Sequence, residues 1–214
     1  MNLARPLYDP EAQICLIRDC IALGARSTTI MFMTGLTKRR VLRYLTDPAS
    51  RCRGNLPYRP DEWLFDGVLQ ERLHAAVLIA RYRRIVRHGY GPAEALISAY
   101  RHCLAQYGSA KNAEPDDGPE HVGFRLNFDR AFGLVSHLEG RWVAKAPTIG
   151  VIRCSECSSE YVHPTAKAGP TGRCPSCESV QRYAMNRRFR DVFPARVIPD
   201  QADCQLQFVR QILS

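Results

Sequence analysis

Residues 151–183 read V-I-R-C-S-E-C-S-S-E-Y-V-H-P-T-A-K-A-G-P-T-G-R-C-P-S-C-E-S-V-Q-R-Y and hold two Cys-x2-Cys pairs, Cys154 with Cys157 and Cys174 with Cys177. Two cysteines three apart can present both thiolates to one ion from a tight turn, and two such turns complete a tetrahedral four-sulfur shell. The sixteen residues between the pairs fall within the spacing that zinc sites use. Four thiolates leave no open coordination position, so the pattern predicts one structural zinc and not a catalytic one. Glu160 to His163 has the content of a short strand, and Pro164, Gly169, Pro170 and Gly172 mark turns around it. Ser158 and Glu178 stand where a tight knuckle favours glycine, and His163 is a further donor that four cysteines make superfluous. The competing assignment is two disulfides or four unrelated buried thiols. The N-terminal M-N-L-A-R-P-L-Y-D-P lacks the apolar run of a secretory leader. A reducing cytoplasm is therefore the expected compartment, and it favours metal over disulfide.

The rest of the composition narrows the class. With 214 residues, 45% hydrophobic and 24% charged, the chain can bury one large core or two small ones, and no apolar stretch reaches membrane-spanning length. Thirty Lys plus Arg against twenty-one Asp plus Glu gives a net charge of +9, which points to a polyanionic partner. Only Lys38, Lys111, Lys145 and Lys167 are lysines. Arginine suits phosphate and guanine edges, but base composition of a genome alone can favour its codons. Of the remaining cysteines, Cys15, Cys20 and Cys103 sit in helical patterns as small apolar residues, while Cys52 and Cys204 lack ligand spacing.

A second informative stretch, Ser27 to Leu45, reads S-T-T-I-M-F-M-T-G-L-T-K-R-R-V-L-R-Y-L. A short helix from Ser27 ends at Gly35, and Thr37 starts a new helix that carries Lys38, Arg39, Arg40 and Arg43. Ile30, Met31, Leu36, Val41, Leu42 and Leu45 fall where a helix-turn-helix packs its two helices. Met31 is larger than the residue usually found where such helices cross. In that geometry the basic first turn of the second helix enters the DNA major groove, where an arginine can be bidentate to guanine. Thr37, Lys38, Arg39, Arg40 and Arg43 are thus the candidate DNA contacts. The bland alternative is a solvated basic face on an ordinary helical pair.

The fold class expected is mainly α: a helical N-terminal region with a helix-turn-helix-like unit, a helical core, and a small four-cysteine zinc module with short strands. Asp9-Pro10 opens a first helix to about Leu23. We divide the chain into residues 1–48 (the helix-turn-helix-like region), 49–60 (a turn-rich linker), 61–145 (the helical core, for assembly), 146–185 (the zinc module) and 186–214 (a basic tail). Within the core, apolar spacing predicts helices from Asp61 to near Gly89, from Pro92 to about Tyr107, and from about Pro119 to Glu139. Arg81, Arg83, Arg84, Arg87 and His88 crowd the end of the first of these, where cations suit the helix dipole. Glu62, Asp66 and Glu71 read as an exposed acidic face, and a last short helix is expected from Ala202 to Leu213. No phosphate loop, His-Glu-x-x-His pair or nucleophile with an adjacent base occurs, so no enzyme activity and no small-molecule substrate are expected.

Taken together, I-A-L-G-A-R at 21–26, the helix-turn-helix after it, L-P-Y-R-P-D-E-W-L-F at 56–65, A-Y-R-H-C-L at 99–104 and the cysteine module at 154–177 resemble the FlhC family of flagellar transcriptional activators. The resemblance covers about residues 10–185. It implies a heterohexamer with an FlhD-type subunit that bends and wraps flagellar promoters and recruits RNA polymerase. It also implies a four-cysteine zinc site, which maps onto Cys154, Cys157, Cys174 and Cys177. The residues themselves leave a second reading open, a zinc-ribbon protein that binds RNA or the ribosome. That reading is weakened by the lack of a dense aromatic and basic stacking surface.

Overall fold

A computed structural model describes residues 10–45, 60, 63–64, 67–108, 123–165 and 174–185. Among these, seven helices and one two-stranded sheet follow in the order α1 (Pro10–Ala22), α2 (Ser27–Thr34), α3 (Lys38–Tyr44), α4 (Leu69–Arg87), α5 (Pro92–Tyr107), α6 (Phe128–Glu139), β1 (Ile149–Arg153), β2 (Glu160–Pro164) and α7 (Pro175–Met185). The chain is mainly helical, with a small cysteine-bearing region built on short strands, as the sequence predicts. No helix among the described residues is long and apolar enough to cross a membrane. The linker at 49–59 and the tail from 186 lie outside the described residues, as do Cys52, Cys204, Glu62 and Asp66.

Helix α4 is the hub, packing against α5, α6, β2 and α7. Its Leu78, Ile79 and Tyr82 are fully buried, and they share one core with Ile17 and Cys20 of α1, Ile30 and Met33 of α2, Val41 of α3 and Phe132 of α6. Each such aliphatic or aromatic side chain contributes about 1.5–3 kcal/mol of transfer free energy. Cys20 and Cys103 are buried in this core, but Cys15 is exposed.

One predicted helix is broken and another begins later than its apolar spacing suggests. The helix expected from Asp61 is interrupted at a bend at Gly67, and α4 starts only at Leu69 with Val68 as its N-cap. A Cβ at Gly67 would collide with the carbonyl oxygen of Trp63, so the backbone passes too close there for a regular helix through a larger residue. The helix expected from Pro119 starts at Phe128, because the Asn127 side chain accepts the Arg130 N–H at 2.8 Å and caps it. Just upstream the backbone is extended, and Phe124 donates its N–H to the Gly108 carbonyl at 2.9 Å.

That extended segment closes over His74 of α4. The ring lies between Tyr107 and Phe124, with centroids 4.9 and 5.0 Å away, and Nδ1 accepts the Arg125 backbone N–H at 3.1 Å. Burial, aided by the Arg125 charge, pushes its pKa down from 6.5 to about 4. The neutral ring is the folded form. Its stability contribution is therefore fully present above about pH 6.5 and is lost as pH falls toward 4. Urea unfolding should show a loss of about 2 kcal/mol between pH 7 and pH 5 from this group. A His74→Phe variant should be less stable at pH 7, with the Arg125 N–H unpaired, but should show a flatter profile over the same interval.

Candidate functional site

The β1–β2 hairpin is antiparallel, with Val151 opposite Val162 and Arg153 opposite Glu160. Its connecting turn is closed by Cys154 N–H to the Ser159 carbonyl at 2.9 Å and Ser158 N–H to the Cys154 carbonyl at 3.0 Å. Ser158 sits at φ 59°, the left-handed region that glycine enters without strain. The second pair is held differently. Cys174 precedes α7, Pro175 occupies the first helical position, and Cys177 falls in the first turn with its N–H donated to Cys174 Sγ at 3.3 Å. Glu178 therefore needs no glycine-like backbone, since it is simply helical.

The hairpin turn and the start of α7 bring the four Sγ atoms within 4.8 Å of one another. The separations are 3.9 Å for Cys154 to Cys177 and 3.4 Å for Cys157 to Cys174. A tetrahedral ion with metal–sulfur bonds of about 2.3 Å places its sulfurs about 3.8 Å apart, so this donor set fits one metal ion. Cys154, Cys174 and Cys177 are buried and Cys157 is half-buried. His163 is not in the cluster: its Nδ1 pairs with the Pro164 carbonyl at 2.8 Å.

Thiol acidity is uneven. Burial pushes Cys154 up, but the N–H groups of Cys157 and Glu156 outweigh it and bring its pKa to about 7. Burial raises Cys174 to about 12, and burial with the neighbouring thiols raises Cys177 further still. The cluster is fastened to α4 by two ion pairs, Arg72 with Glu178 at 2.6 Å and Arg83 with Glu160 at 2.7 Å. Between them Ala76 packs against the buried cysteines and Tyr161. Residues 72, 76 and 83 share one face of α4, spaced at one and three helical turns. These docking pairs have no local signature in the sequence, because their partners lie 106 and 77 residues away.

In the N-terminal region, α2 and α3 are joined by Gly35, Leu36 and Thr37. Gly35 is left-handed at φ 70° and donates its N–H to the Met31 carbonyl, closing α2. Ile30, Val41 and Leu45 are buried, and Met31, Leu36 and Leu42 pack against the same core, so Met31 is accommodated. Thr37 occupies the N-cap of α3 without a side-chain cap; its carbonyl accepts the Arg40 and Val41 N–H groups at 2.9 and 3.1 Å. Thr37, Lys38, Arg39, Arg40 and Arg43 are all exposed. None of these four cations has a salt bridge among the described residues, whereas Arg26, Arg72, Arg83 and Arg130 all hold carboxylates. The metal-fitting cysteines and the basic helix are thus separate: the cysteines form a small cluster of their own, and α3 packs on the main core.

Residues 5–190, which span both sites, match the family described as flagellar transcriptional activator (FlhC). The chain belongs to the FlhC family. A flagellar transcriptional regulator FlhC from Gallionella capsiferriformans (strain ES-2) is 30% identical over 177 residues, which cover 74% of this chain and 87% of that relative. This FlhC-family chain is accordingly a flagellar transcriptional regulator. Its sulfur cluster carries one local strain, the left-handed Ser158. Ser158→Gly should keep or raise the thermal midpoint, while the β-branched Ser158→Val should cost at least about 1 kcal/mol, measured by thermal unfolding followed by circular dichroism.

Proposed function

We propose that this chain is a DNA-binding activator subunit for flagellar promoters, acting in a heterohexamer with an FlhD-type partner and recruiting RNA polymerase. Residues 1–48 supply the DNA contacts through Thr37, Lys38, Arg39, Arg40 and Arg43. Residues 61–145 form the assembly core, and residues 146–185 hold one structural zinc ion through Cys154, Cys157, Cys174 and Cys177. The observation that carries the DNA-binding part is the division of α3 into a buried apolar side and an exposed side of cations without salt bridges among the described residues, immediately after a glycine-closed turn. Such cations are available to phosphate. Zinc supplies cross-linking alone: a closed four-thiolate shell leaves no position for water or substrate, and the chain's cysteines serve to join the hairpin to α7.

The test is binding of the co-purified, metal-replete complex to a flagellar promoter fragment and to a scrambled duplex across a salt series. Preference for the promoter that survives rising salt is expected. Arg39→Ala, Arg40→Ala and Arg43→Ala combined should weaken promoter binding and flatten the salt slope by about 0.9 for each phosphate no longer neutralised. A residue among them that reads guanine should cost about 1–3 kcal/mol of discrimination. Equal affinities that collapse together with salt, or a triple variant that binds as wild type, would sink the assignment of α3. Preferential binding of RNA would bring the zinc-ribbon reading forward.

A further inference from the structure

Among the described residues, Asp129 is the one buried carboxylate. A buried charge is costly unless donors surround it, and here the donors come from the start of α2. Asp129 Oδ1 accepts the Arg26 backbone N–H at 3.0 Å and the Thr29 hydroxyl at 2.5 Å. Its Oδ2 faces the Arg26 Nε at 3.2 Å. Arg26 is the N-cap of α2 and has no side-chain acceptor to offer, so that helix lacks a cap of its own. Asp129, 103 residues away, supplies it. The same carboxylate stands in the first turn of α6, so the partial positive ends of two helices share one negative charge.

This joint holds the helix from which α3 is hung. Three residues further along each helix, Phe32 stacks on Phe132 with centroids 6.4 Å apart, and Phe132 stacks in turn on Trp142 at 5.0 Å. The other anchors of α2 are the apolar Ile30 and Met33 and, at its far end, the Thr34 carbonyl, which accepts Gln13 Nε2 of α1 at 3.0 Å. Apolar contacts hold two helices together but are non-directional, whereas a carboxylate with three fixed donors sets an angle. We propose that Asp129 is a positioning residue: it fixes how α2, and with it α3, stands on the helical core, and so governs discrimination between DNA sequences more than general affinity. This rests on the reading that α3 meets DNA.

The test uses the full complex with its partner subunit and measures affinity for promoter and scrambled DNA, the salt slope on scrambled DNA, and bound metal. Asp129→Asn keeps the size of the side chain but removes its charge and sets an amide where Arg26 needs an acceptor. The promoter-to-scrambled affinity ratio should fall about tenfold, the scale of losing one charge-assisted hydrogen bond, while the salt slope and metal content stay as in wild type. A merely structural role would lower the active fraction for both duplexes and leave their ratio unchanged, which would overturn the proposal. Should Asp129→Asn fail to assemble, Arg26→Gln removes only the guanidinium, itself 26% exposed, and is read the same way. The combined Arg39, Arg40 and Arg43 variant separates the two claims. If it keeps promoter preference, the reading of α3 falls and the proposal with it; if it loses preference while Asp129→Asn keeps it, the joint alone is wrong.

Discussion

Four thiols drawn within 4.8 Å of one another cannot all ionise without a cation between them. Burial holds Cys174 at about 12 and, with the neighbouring thiols, Cys177 higher, while backbone N–H groups bring Cys154 down to about 7. A dication bound in the proposed site would reverse that balance and release the protons, so binding and deprotonation would be one event. The structural consequence is large for so small a unit. The hairpin has five-residue strands, and an isolated two-stranded hairpin is marginal in water. In the proposed zinc site, joining it to α7 through four metal–sulfur bonds would make metal affinity into folding free energy. The same unit presents Glu160 and Glu178 to Arg83 and Arg72 of α4.

Helix α4 links that unit to the helical core that also carries α2 and α3. The sulfur cluster lies on one face through Ala76, and the buried core lies on others through Leu78, Ile79 and Tyr82. The α2–α3 pair is then fastened to α6 by the Asp129 carboxylate. Two polar fasteners of different chemistry, the ion pairs that hold the four-cysteine unit to α4 and a capping carboxylate, add direction to the apolar core. In the proposed activator this rigidity serves recognition, because a helix that reads base edges must arrive at a set angle to the duplex.

What the sequence made legible was local. The Cys-x2-Cys pairs, Gly35 with Thr37 after it, and the helix from Pro92 to Tyr107 each announce themselves within a few residues, and the structure has them where the spacing predicts. Sequence and structure part where distant groups decide. The Gly67 break depends on the approach of the Trp63 carbonyl, which no periodicity shows. The late start of α6 did leave a trace: Phe124, Leu126 and Phe128 are buried while Arg125 and Asn127 are exposed, a period of two that marks extended chain. The Asp129 cap was invisible, since a carboxylate that caps a helix 100 residues earlier has no local signature. The candidate ligands and the candidate DNA contacts were both legible because each set lies close together in the chain: two cysteine pairs in turns, and four cations on one short helix.

The most direct measurement is metal content with X-ray absorption at the metal edge, taken on the complex as purified and again after the ion is removed by a chelator. The account predicts one zinc per chain bound by four sulfurs at about 2.3 Å, and loss of the hairpin–α7 unit when the zinc leaves. Nitrogen or oxygen in the shell, fewer than four sulfurs, or a metal-free protein with its structure intact would contradict it.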